Sequence, residues 1–165
     1  GHLHVQHCKR SEDNRGIWEM VTASLATPSC KYAILTYRDD RSFLYRTQSL
    51  DVEAWAKKNQ CTEEDLLNFK QFQTPFLRRV FYNQAIASLN EVPELTDSER
   101  EQMAQLYSLL KFHYYQGTAY QVQEPVRNDP AYELWQEDGM ATQQGEYFRY
   151  ILEDGKRDYN RLEVN

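Results

Sequence analysis

Between Lys31 and Gln48 two runs rich in Tyr, Ile, Leu and Phe, KYAILTY and SFLYRTQ, flank the polar tetrad RDDR. Aromatic and β-branched runs of this length, separated by a short polar turn, predict an antiparallel hairpin. Both runs alternate moderately, so one face should meet a core and the other stay half wet. This feature constrains the fold most. Hairpin-joined strands do not build a doubly wound parallel sheet, which needs strands alternating with helices. No glycine-rich phosphate loop occurs either.

From Leu50 onward the signals turn helical. DVEAWAKKN follows a cap at Ser49 or Asp51, and CTEEDLLNF carries Thr62 with Asp65 in capping-box spacing. Thr74 reads as the N-cap of a further helix with Pro75 at its first position, where a missing N–H costs nothing. Phe76 or Leu77, Val80, Phe81, Ala85 and Leu89 form its apolar stripe. Thr96 with Glu99 is a second capping box. Met103, Leu106, Tyr107, Leu110 and Tyr114 follow at helical spacing, and Gly117 stands where a left-handed C-terminal cap belongs. That helix is predicted to reach about Gln116, with TAYQVQ starting a strand that ends before Pro125.

Asp129-Pro130 opens a short helix stopped by Gly139. Asp154-Gly155 lies between two runs over 146–164 and reads as a hairpin, with a helix over 146–153 as the competing assignment. At the other end, residues 3–9 alternate as a short edge strand, and residues 1–10 read equally as a frayed or tag-derived extension. SEDNRGIWEMVTASLATP reads as a helix with Ile17 or Trp18, Val21 and Leu25 in register, capped by Asp13 or Asn14 and ended by Pro28. Strands, then helices, then strands predict an α+β fold: one antiparallel sheet of about four to five strands with several helices packed mainly on one face. The expectation is a single compact domain over 1–165.

The 165 residues suffice to bury a core without disulfide or metal staples. Net charge is −6 and unevenly spread. Residues 1–50 hold seven Lys/Arg against five Asp/Glu, residues 51–123 seven against ten, and residues 124–165 five against ten. No basic stripe exists, which disfavours a nucleic-acid partner. No apolar run is long enough for a membrane span, and no leader pattern is read. The start at GHLH without Met reads as an excised domain or a cloning remnant at Gly1-His2. Three cysteines, Cys8, Cys30 and Cys61, without CxxC spacing point to free thiols in the cytoplasm or another reducing compartment.

Several side chains carry candidate chemistry. His2, His4, His7 and Cys8 are the only cluster of metal-ligand types, but no second ligand pair follows, so no metal and no cofactor is expected. Cys61 precedes a capped helix and Cys30 a strand; either could be a nucleophile if paired with His113, the only histidine outside the first seven residues. Arg78 and Arg79, with Tyr82 on the same helix, suit a carboxylate or phosphate, and Arg46 sits on a strand among aromatics. Tyr114, Tyr115 and Tyr120 would line a ligand pocket if they met across Gly117. A protonated imidazole near a helix C-terminus is favoured by the dipole, so an exposed His113 would be more basic than a free imidazole.

Twelve tyrosines and these arginines, residue types enriched at binding hot spots, favour a non-enzymatic protein-interaction domain with a protein partner. The alternatives are a small hydrolase or transferase with a Cys/His site in a cleft beside the sheet, and a small-ligand-sensing domain.

Overall fold

The computed structural model describes residues 4–11, 16–25, 27, 29–39 and 41–164. Among them are seven α-helices and two antiparallel sheets, an α+β protein as expected. The five strands do not form one sheet: two pair with each other and three form a second sheet. Backbone contacts divide the chain into two compact units. The first holds Gly1–Thr74, Tyr115–Gly117 and Asp158–Asn165, and the second Pro75–Tyr114 and Thr118–Arg157.

In the first unit β1 (His7–Arg10) pairs antiparallel with β2 (Trp18–Val21), Cys8 opposite Met20. The expected helix over 11–28 is therefore a strand in its middle. Trp18 and Val21 fit helical spacing but also suit a pleated surface, and β1 supplies the partner that decides. Gly16 turns the chain into β2 at φ +74°, and Ser11 N–H donates to Ile17 O. The proposed caps Asp13 and Asn14, the stop at Pro28 and the candidate ligand His2 lie outside the described residues.

The hairpin forms as predicted: β3 (Lys31–Tyr37) pairs with β4 (Phe43–Ser49), Ile34 opposite Arg46. β5 (Arg161–Val164) pairs with the other side of β4, giving the order β3-β4-β5. α1 (Val52–Lys58) is capped by Asp51, whose carboxylate accepts from Ala54 N–H at 3.0 Å. The Thr62–Asp65 box does not form. α2 (Glu64–Leu67) is a single turn with Glu63 at its N-cap, and Asp65 instead accepts from Leu66 N–H.

α3 (Phe69–Leu89) starts before the predicted cap Thr74, with Pro75 inside it rather than at its first position. Asn68 O accepts from Gln71 and Phe72 N–H and so begins the helix upstream, at the expense of the one backbone bond that proline cannot donate. In the second unit Leu77, Phe81, Ala85 and Leu89 are buried, while Phe76 and Val80 face outward. Arg100 closes the helix end, donating to Leu89 O and Val92 O and pairing with Asp97.

α4 (Asp97–Tyr115) begins at the Thr96–Glu99 box, both halves of which form. Its whole predicted stripe, Met103 through Tyr114, is buried. Gly117 adopts φ +71°, the left-handed stop expected of it. The strand expected after it is absent. Residues 119–121 form a 3-10 turn, followed by α5 (Gln123–Arg127). Pro125 lies within the first turn of α5, where its missing N–H has no helical partner to lose.

α6 (Ala131–Gln136) follows Asp129-Pro130 as predicted, with Asp129 accepting from Ala131 N–H. The Asp154-Gly155 pair ends α7 (Gln143–Asp154) rather than turning a hairpin. Thr142 caps α7 at Gly145 N–H, and Phe148, Ile151 and Leu152 bury one helical face. Phe148 stacks on Trp135 of α6 at 5.1 Å between ring centroids, and the indole N–H donates to Met103 O at 2.9 Å. Stacked, fully buried rings with the polar atom satisfied bring α4, α6 and α7 together.

Gly117 is more than a helix stop. A Cβ there would lie 2.6 Å from Gln6 Cγ and 3.2 Å from Asn160 Nδ2, on a backbone that side chains other than glycine adopt under strain. Gly117→Ala is expected to destabilise the protein by roughly 1–3 kcal/mol, seen as a lower urea midpoint. An unchanged midpoint would show that the segment relaxes freely.

Candidate anion-binding groove and buried lysine

Arg78 stands on α3 and reaches α4, where an Nη2 amino group donates to Ser108 Oγ at 3.3 Å. Its Nε is buried and makes no hydrogen bond. A buried, unsatisfied guanidinium N–H is costly, because it has lost water and gained nothing. The side chain lines a groove of about 410 Å³ whose walls are Glu101, Gln102, Gln105, Leu106 and Leu109 of α4 and the Asp129-Pro130 turn. Two of the groove's carboxylates are already engaged. Glu101 accepts from Tyr82 Oη and Gln105 Nε2, which holds its own pKa down and raises that of Tyr82. Asp129 caps α6. Arg78 thus keeps one donor without an acceptor among the described residues.

His113, one helical face along, is half-buried, with Nδ1 against Thr118 Oγ1 at 3.0 Å. Its pKa is lowered, first by burial and then by the Arg78 charge. The exposure on which a more basic imidazole depended is not met: the ring is half-buried, and desolvation outweighs the helix dipole.

Lys111 of α4 is a feature the sequence reading did not single out. It is 7% exposed, and its Nζ donates to Gln84 Oε1 at 2.8 Å and Tyr107 Oη at 2.9 Å. The rings of Phe81, Tyr107 and Tyr147 surround it at 5.0, 5.1 and 4.9 Å. Burial draws the ammonium down to about 8, while three π faces favour the cation. A lysine one turn beyond Tyr107 on the buried stripe was the available signal.

The remaining candidates separate. Arg79 is exposed on α3 and Tyr82 joins Glu101 beside the groove. Tyr114 is buried against Tyr147 and Tyr150, donates to Asp154, and has its pKa pushed far up by burial. Tyr115 belongs to the first unit and Tyr120, exposed, to the second. In the first unit Arg46 is exposed on β4 directly across from Arg161, a like-charged pair that costs stability, while Glu163 bridges Arg161 and Arg38.

His4 is half-buried, His7 packs on Tyr159 at 4.5 Å, and Cys8 donates to Tyr159 O. No group of three His, Cys, Asp or Glu among the described residues is placed to hold a metal ion. Cys61 lies between α1 and α2, with Glu63 rather than the thiol at the helix start. Cys30 is buried, its Sγ donating to Thr27 O at 3.2 Å, and burial raises its pKa, the opposite of an activated nucleophile.

Two measurements follow from these groups. At pH 7.5 iodoacetamide is expected to modify Cys30 more slowly than Cys61, as read by peptide mass mapping; faster reaction at Cys30 would restore it as a nucleophile. For Lys111, the folded ammonium is disfavoured relative to the unfolded one. Its destabilising cost is present in full below about pH 8 and is relieved as pH rises toward the free-lysine value. Lys31, buried in the first unit and drawn down to about 8 by burial against the pull of Asp158, adds to the same window. Lys111→Met is therefore expected to be at least as stable as the native chain at pH 7 and to gain less stability between about pH 7.5 and 9.5 in urea unfolding. An identical pH slope would remove Lys111 from the account.

A search of curated proteins returns no match. Residues 51–158 match the family described as the C-terminal domain of cyclic nucleotide phosphodiesterase. The matched span runs from the α1 cap to the residue before Tyr159 and includes all seven helices, the Arg78 groove and Lys111. The chain belongs to the cyclic nucleotide phosphodiesterase C-terminal domain family.

Proposed function

We propose that this chain is a non-catalytic docking module of a phosphodiesterase-family protein, and that the Arg78 groove receives a carboxylate-bearing segment of a partner protein. The observation that carries the reading is the buried Arg78 Nε without a hydrogen-bond partner. A carboxylate entering the groove pairs with the Arg78 guanidinium, which turns to present Nε, and gains a charge-assisted bond, stronger than a neutral one. Leu106, Leu109 and Pro130 offer apolar contact beside it, and Gln102 and Gln105 offer amides. Glu101 and Asp129 on the same walls oppose a dianionic phosphate and favour a segment that also carries a basic residue. This mixed polarity supports a peptide over a nucleotide. The buried, acceptor-bound Cys30 thiol and the less basic His113 support a binding role over a catalytic one.

The test is a titration of the ¹⁵N-labelled chain, following the Arg78 Nε–H resonance. The probes are short peptides with an acidic, an apolar and a basic residue, the same peptides with Asn for Asp, and cyclic nucleotides. The acidic peptides are expected to shift the resonance, with Arg78→Gln weakening binding at least about tenfold. A shift with cyclic nucleotides but not peptides would replace docking by ligand sensing. Hydrolysis of a cyclic nucleotide by the chain itself would replace it by catalysis.

A further inference from the structure

Among the described residues β3 is an edge strand, paired with β4 alone. The hydrogen bonds at the two ends of the hairpin, Leu50 N–H to Cys30 O and Arg38 N–H to Ser42 O, set the phase of the ladder between them. With period-two alternation, Tyr32, Ile34 and Thr36 spend their backbone groups on β4. Ala33, Leu35 and Tyr37 direct theirs toward the open edge. The side chains of these same three residues are exposed, Leu35 at 60% and Tyr37 at 70%. Protein edges are ordinarily guarded by a lysine, a proline, a bulge or a covering segment. β3 has no proline, its register with β4 is unbroken, and its one charged residue, Lys31, is buried with its ammonium bound to Gln116 O and Asn160 Oδ1.

We propose that two copies of this chain join through their β3 edges, antiparallel about a two-fold axis at Leu35, into a continuous six-stranded sheet. This register pairs Leu35 with Leu35 of the second copy and Ala33 with its Tyr37, so each large ring faces a small side chain. On the other face Ile34 meets Thr36, and Tyr32 meets Arg38. The three outward-facing pairs each exchange two backbone hydrogen bonds, and the isologous contact closes on itself without leaving β3 open. A second copy is favoured over a foreign strand because the three exposed, outward-directed residues, Ala33, Leu35 and Tyr37, pair only with one another in this register.

Sedimentation velocity on the full 165-residue chain from 1 to 200 μM tests this. The native chain is expected to shift from monomer to dimer across the series, and Leu35→Lys to remain monomeric with an unchanged far-UV spectrum. A native chain that is monomeric at 200 μM, or a Leu35→Lys dimer as tight as the native one, overturns the proposal. Because Leu35→Lys risks unfolding, hydrogen exchange on the native chain gives an independent reading. The Ala33, Leu35 and Tyr37 amides should gain protection with protein concentration while that of Ile34 does not change. Concentration-independent exchange at all four, or protection appearing only when a foreign extended peptide is added, also overturns it. Leu35→Lys leaves Arg78 untouched, so loss of the dimer and loss of peptide binding are separate outcomes.

Discussion

The first unit depends on a single buried carboxamide. Gln6 is fully enclosed, and its side chain accepts from Ala23 N–H and donates to Tyr45 Oη and Tyr159 O, while its own N–H donates to Tyr115 O. Four segments distant in sequence thus converge on one residue. Tyr45 Oη extends the network to Thr22 Oγ1 at 2.8 Å. A buried amide leaves no middle course: satisfied it specifies a unique arrangement, and unsatisfied it costs the full desolvation of the group. Gly117 makes the arrangement possible, since only a missing Cβ lets Gln6 lie against the chain where α4 ends. Asn160 completes it from the C-terminal side, accepting from Thr47 Oγ1 and donating to Gln116 O.

The second unit is organised by rings instead. The Trp135–Phe148 stack fixes α6 on α7, and the rings of Phe81, Tyr107 and Tyr147 enclose Lys111. Two cations of this unit are treated differently. Lys111 finds two neutral acceptors and three π faces, whereas Arg78 keeps one buried donor unanswered at a groove. The first has been compensated within the fold, and the second, at its Nε, has not.

The candidate site was legible only in part. Arg78 and Tyr82 were visible as polar residues on a helix rich in aromatics, and both stand at the groove. Its far wall, from Glu101 to Leu109 and Asp129-Pro130, comes from segments that no local pattern connects to α3. His113 was visible as the one internal histidine, but whether it is raised or lowered depends on burial and on the Arg78 charge, neither of which spacing reveals. Lys111 is not legible locally, because a lysine within an apolar stripe looks like a solvated interruption until the surrounding rings are in place.

The sequence by itself determined the elements that carry their own start, stop and period. The β3–β4 hairpin, the Thr96–Glu99 box with its buried stripe to Tyr114, the Asp51 cap and the Gly117 stop all formed because local chemistry and burial agreed. Tertiary structure decided the ambiguous segments. WEMV became a strand because β1 lay alongside it, and 161–164 became one because β4 had an open side. Helix α3 ran through Pro75 because upstream carbonyls began it first, and the segment after Gly117 coiled because Pro125 in a first turn loses nothing. Short apolar runs satisfy either period. What settles them is which partner supplies the backbone hydrogen bonds, and that partner lies elsewhere in the chain.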